Sequence, residues 1–153
     1  MRTRLVLLAL VAVQIAWYWP RLPHVIASHF DVTGRANGWM SREAFVGVYV
    51  AVVALLTVVF SAVRIVPPSL WNLPNKAYWL APERRAATVA RVADEMTSFA
   101  NATLALVLAT FELAFRANLP GGTFAADVMW VVLGAYLIFV VARLVRFVRS
   151  WSR

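Results

Sequence analysis

The chain has no cysteine among its 153 residues. Disulfides, thiolate metal sites and cysteine nucleophiles are therefore excluded. Histidine occurs only at His24 and His29, so imidazole acid–base chemistry has few carriers. Acidic residues number 7 against 15 basic ones, and Lys76 is the single lysine. No Gly-rich phosphate loop, HExxH pattern or Ser-His-Asp set can be assembled. The chain is expected to be no enzyme, with no catalytic residue, no cofactor and no resident metal.

What is abundant is apolar. Hydrophobic residues make up 62% of the chain, and the mean hydropathy is +0.72. Soluble domains sit near 45–50% apolar, so this excess predicts an integral membrane protein. The formal charge of +8 would also suit nucleic acid. However, the basic residues cluster beside the apolar runs, as topology signals do. The expected partner is the bilayer, with anionic inner-leaflet lipids, and not nucleic acid.

Four apolar runs predict an all-α bundle of four transmembrane helices in one domain, residues 1–153, with spans at about 5–19, 44–65, 96–115 and 125–144. The first run is short. A signal peptide is the rival reading there, given Arg2, Arg4 and the apolar stretch. Trp17, Tyr18 and Trp19 look like an interfacial belt and Pro20 ends the helix, which favours an uncleaved span. Ser41 is a plausible N-cap for the second span, with Glu43 at its positive start and Arg64 at its far end. Thr123 is a plausible N-cap for the fourth.

Eleven basic residues fall on the side of the termini: Arg2, Arg4, Arg64, Lys76, Arg84, Arg85, Arg91, Arg143, Arg146, Arg149 and Arg153. Four fall on the other: Arg21, Arg35, Arg42 and Arg116. The positive-inside rule puts both termini in the cytoplasm. Loop 20–42 is then extracytoplasmic, and 66–95 is a cytoplasmic loop and helix. Residues 145–153 form a basic C-terminal helix at the inner leaflet.

From Pro82 a helix runs unbroken into the third span. Val89, Val92, Met96 and Phe99 form one stripe; Arg84, Thr88, Arg91 and Glu95 form another. This reads as a packed face and a solvated face. In the last helix Arg143, Arg146, Arg149 and Arg153 share one arc, with Leu144, Val148 and Trp151 elsewhere. Within the spans, Glu112 precedes Arg116 by four residues, the favourable order for a helical ion pair; a proton or substrate site is the alternative. Asn101 and Ala105 lie near its face, and Gln14 is placed to hydrogen-bond to that stripe. Gly47, Ala51 and Gly134 would permit close helix contact.

Two loops have character. In "LPHVIASHFDVTGRANGWMSR", Gly34 and Gly38 permit tight turns, and Asn37-Gly38 is a strong turn signal. Phe30 and Trp39 are apolar anchors. His24, His29 and Asp31 are of metal-ligand type. Three readings stand: a hydrogen-bonded cap, a binding surface for a ligand or peptide, and a metal site. In "NLPNKAYWLAPERR", Asn72, Pro74 and Asn75 imply successive turns. Trp71, Tyr78 and Trp79 suit the inner interface, and Lys76 a phosphate or headgroup contact.

These two segments resemble a bacterial membrane family, the domain of unknown function 1648, which also forms the N-terminal part of the SdpI immunity proteins. The first resemblance sets His29, Asp31, Gly34, Asn37, Gly38 and Trp39 at fixed distances; the second covers residues 72–85. It implies a multi-span protein of the bacterial inner membrane. It also implies protection against a toxic peptide, and signalling by holding a repressor at the membrane. The expected function is non-enzymatic binding or signalling. An accessory subunit of a larger membrane complex is an alternative, and so is a metal-dependent enzyme or transporter using Glu112, His29 and Asp31.

Overall fold

In a computed structural model that describes residues 2–62 and 65–151, the chain is built around one long helix. Helix α1 (Arg2–Tyr18) passes through a 3-10 turn (Trp19–Arg21) into strands β1 (Val25–Phe30) and β2 (Ala36–Ser41). Helix α2 (Arg42–Ala62) follows, then the short α3 (Lys76–Trp79), the long α4 (Pro82–Ala117) and α5 (Ala126–Trp151). Helix α4 is the hub, packing against α1, α2 and α5. The four long helices are each long and apolar enough to cross a membrane. At 36 residues, α4 is about 54 Å long against about 30 Å of hydrocarbon, so it must project beyond the bilayer. The expected end of span two at Arg64 and the basic Arg153 lie outside the described residues.

The expectation of an all-α chain is corrected by the hairpin. Strands β1 and β2 pair antiparallel, with Ile26 opposite Met40 and His29 opposite Gly38. Alternating burial along β2 is the mark of a strand with one covered face. The turn is also not where Asn37-Gly38 placed it. Those residues lie inside β2, where the register shifts around His29. The chain reverses instead at Asp31–Gly34. Asp31 Oδ1 accepts from the Thr33 and Arg35 amides and the Thr33 hydroxyl at 2.7–3.0 Å. These donations, led by the Thr33 hydroxyl, hold the Asp31 carboxyl below its usual range. Gly34 has φ +87°, and a Cβ there would lie 2.7 Å from the Phe124 carbonyl oxygen. A two-stranded sheet has open edges, which hydrocarbon does not tolerate where lipid reaches them. The hairpin therefore lies beyond the apolar core, on top of the bundle.

Asn118, just past α4, docks it. Its Oδ1 accepts from the Ala27 amide at 2.7 Å, while its Nδ2 donates to the Ala27 and Ala114 carbonyls. Phe30 stacks on Phe124 at 4.3 Å. Asn118→Ala is expected to cost about 2 kcal/mol, because three backbone groups lose their partner together. Hydrogen exchange checks this: amides of residues 25–41 should exchange faster while those of α4 hold.

Several helix expectations are corrected. Ser41 does cap α2, its Oγ accepting from the Ala44 amide at 3.1 Å. Thr123 caps nothing, since α5 begins three residues later at Ala126. A Cβ at Gly47 or Gly134 would meet nothing within 4 Å, and Ala51 is exposed. These small residues face away from the bundle.

At the opposite end from the hairpin a second core forms. Trp151 is wholly buried, with Leu73 and Val92 around it and Trp71, Trp79, Met96 and Phe147 packed against them. Trp71 and Trp79 thus pack into this second core. Thr88 is buried too, its hydroxyl donating to the Trp79 carbonyl at 2.8 Å. Glu95 pairs with Arg143 at 2.6 Å and Arg146 at 3.7 Å, joining α4 to α5. The supposed solvated stripe of α4 is therefore partly a packing face. Arg143 likewise leaves the expected basic surface.

Candidate functional site

The two loops singled out by sequence do not meet. They sit at opposite ends of α4, about 45 Å apart from Thr88 to Asn118 at 1.5 Å per residue. At the second-core end, Asn72 and Pro74 are exposed. Asn75 takes a left-handed conformation (φ 49°) and starts α3. Lys76 donates to the Ser69 carbonyl, so its ammonium is engaged by the loop. Tyr78 lies under Arg84, 4.0 Å from the guanidinium. Trp79 donates to the Trp151 carbonyl at 3.3 Å. This segment is a structural clasp over the second core.

At the hairpin end, His29 and Asp31 line a crevice of about 370 Å³ with Thr110, Met129 and Trp130. His29 Nδ1 lies 3.0 Å from the Ser28 hydroxyl. Gly38 lies opposite; a Cβ there would come within 2.9 Å of His29 Nδ1, so glycine lets the ring cross the strand. Asn37 is exposed in β2. Trp39 is 62% exposed and does not fold onto the bundle. Among the described residues, no three His, Cys, Asp or Glu side chains are grouped as a metal would require.

Chemistry converges at Glu112 instead. Its Oε1 accepts from Tyr18 at 2.8 Å and from Arg116 Nε at 2.7 Å. Its Oε2 accepts from Gln14 Nε2 at 2.7 Å. Gln14 Oε1 in turn accepts from Tyr49 at 2.5 Å. The network thus joins three helices: Gln14 and Tyr18 from α1, Tyr49 from α2, Glu112 and Arg116 from α4. An aromatic collar aims the hydroxyls. Tyr18 stacks on Phe115 at 4.9 Å and Tyr49 on Phe111 at 4.0 Å, with Phe45 wedged against both phenylalanines. The expected Glu112–Arg116 pair is present. Tyr18, assigned by sequence to an interfacial belt, points inward. Tyr49 went unnoticed, though a lone tyrosine hydroxyl in the middle of a span is a readable signal for a partner. Gln14 does reach the stripe, through Glu112 and the Leu108 carbonyl. Asn101 keeps a buried Oδ1 with no hydrogen bond.

Beside this network a groove of about 460 Å³ opens between α1 and α4. Leu10, Val13, Trp17, Ala105, Leu108 and Ala109 form its walls; Gln14, Tyr18, Glu112 and Arg116 supply the polar groups. Apolar walls with a few fixed polar groups are the general form of a ligand site. Nothing in the groove is arranged as nucleophile and base.

Comparison with protein families matches residues 5–55 to the family model described as Domain of unknown function (DUF1648). That range spans α1, the hairpin and the first part of α2, and includes the first resembling segment; residues 72–85 lie outside it. No curated protein and no solved structure matches.

Proposed function

Residues 5–55 form a DUF1648 domain, and from that premise we propose that the protein is a non-enzymatic binding protein of the bacterial cytoplasmic membrane, related to the SdpI group and acting in peptide-toxin tolerance or a kindred envelope function. Both termini lie in the cytoplasm and the hairpin faces outward. The charge count supports this orientation, with four basic residues on the hairpin side. The observation that carries binding is the α1–α4 groove, whose single carboxylate accepts protein donors on both oxygens. A carboxylate held this way is a fixed wall, suited to positioning.

The test is to fill the groove without touching the network. Ala109→Phe places a ring in the groove wall. In a deletion strain, wild-type protein should restore tolerance to membrane-active peptides, and Ala109→Phe should lose most of that restoration at equal expression. If the filled variant restores tolerance fully, the groove is not the binding site.

A further inference from the structure

We propose that the occupant of the α1–α4 groove is one anionic glycerophospholipid, taken from the leaflet at the hairpin end, with an acyl chain along the groove and its phosphate at Arg116 and Arg21. The proposal rests on the reading of the groove as the binding site.

Its length fits. Ala105 and Arg116 both line it and lie 11 residues apart on one helix. That is about 16 Å. One leaflet contributes about half of the 30 Å hydrocarbon, or about 15 Å. An acyl chain of that leaflet would run the length of the groove with its headgroup level with Arg116.

The charges select the head. Glu112 is occupied on both oxygens, so it offers little to a cationic head. Arg116 engages Glu112 through Nε, and its side chain is 66% exposed. Its terminal nitrogens keep the forked donor geometry that suits phosphate. The Arg21 guanidinium lies 3.9 Å over the Trp17 ring, which lines the same groove. Glu112 offsets part of the Arg116 charge, and Arg21 adds to what is left, so the mouth is positive. A cationic peptide would meet two guanidinium groups and a spent carboxylate.

Native mass spectrometry of the full chain in mild detergent tests this with palmitoyl-oleoyl phosphatidylglycerol against phosphatidylcholine of the same chains. One arginine near an anionic surface is worth about fivefold in affinity. With Arg116 partly neutralised, wild type should prefer phosphatidylglycerol by about tenfold. Arg21→Gln, which leaves the Glu112 network intact, should reduce the preference to about threefold or less. Ala109→Phe should weaken both lipids alike. Equal binding of the two lipids, or a preference that survives Arg21→Gln combined with Arg116→Gln, overturns the proposal. Displacement of the lipid by millimolar inorganic phosphate would assign the site to free phosphate and overturn it too, as would displacement by a cationic amphipathic peptide. The groove reading fails separately: it falls if Ala109→Phe restores tolerance in cells, whatever the lipid preference.

Discussion

Glu112→Ala is expected to destabilise the bundle by about 3 kcal/mol, whereas Glu112→Gln costs about 1 kcal/mol. A single interhelical hydrogen bond in a membrane bundle averages only about 0.6 kcal/mol, because the unfolded chain in lipid also finds partners. Alanine here removes the acceptor of three donors at once: Gln14 Nε2, left with only the Leu108 carbonyl at 3.3 Å, the Tyr18 hydroxyl and Arg116 Nε. Arg116 is exposed enough to recover water or headgroup partners. Gln14 and Tyr18 are buried, at 8% and 6% exposure, and are not. Glutamine differs because the network can reverse at Tyr18. The new side chain's oxygen can stay on Gln14 Nε2 while its amide nitrogen faces Tyr18, whose hydroxyl can accept as well as donate, and the exposed Arg116 turns to water. Denaturant titration in mild detergent separates the two variants. If Glu112→Gln were as damaging as Glu112→Ala, the negative charge rather than the hydrogen-bond set would be holding the helices.

The network also shows what could be read in advance. The four spans, the unbroken helix from Pro82 and the Glu112–Arg116 pair follow from apolar runs and the 3.6-residue period, which are local signals. Gln14 reaching the Glu112 face followed because a polar side chain in a span needs a partner. The hairpin did not follow. Its strands are short, its strongest turn signal points at Asn37-Gly38, and its register depends on His29 crossing over Gly38 and on Asn118 from 91 residues away. Small residues misled for a related reason. Gly47 and Gly134 would suit close packing, but which face of a helix meets a neighbour is set by α4 as the hub, a tertiary fact. Glu95 and Thr88 read as solvated because their class is polar, yet each has a specific partner from another element. The groove itself is a gap between α1 and α4, and no residue pattern announces a gap.

Where the helices leave the bilayer, burial acquires a value it lacks inside, which makes Trp151→Ala the costliest aromatic truncation expected here. Within hydrocarbon, lipid tails are as apolar as leucine, so packing contributes contact but little transfer energy. Helix α4 overruns the hydrocarbon by about 24 Å. Its Pro82 end carries Arg84, Arg85 and Arg91, a composition for water. Trp151, from the end of α5, is wholly buried there. Its ring meets Trp79 edge-on at 4.9 Å and Phe147 at 5.4 Å, with the Arg91 guanidinium 4.9 Å above it. A tryptophan burying about 200 Å² at about 25 cal/mol/Å² gains about 5 kcal/mol. Truncation of such a core residue costs about 3–5 kcal/mol. Trp151→Ala should therefore cost about 4 kcal/mol, and Trp151→Phe about half of that, since a smaller ring keeps part of the contact. The loss should be confined to one end. Hydrogen exchange should rise across residues 71–80 and the last two turns of α5, while the Glu112 network and the hairpin keep their protection. Uniform loosening of the whole bundle would show instead that the two cores fold as one unit, and an unchanged exchange pattern would mean that the Trp151 clasp holds nothing down.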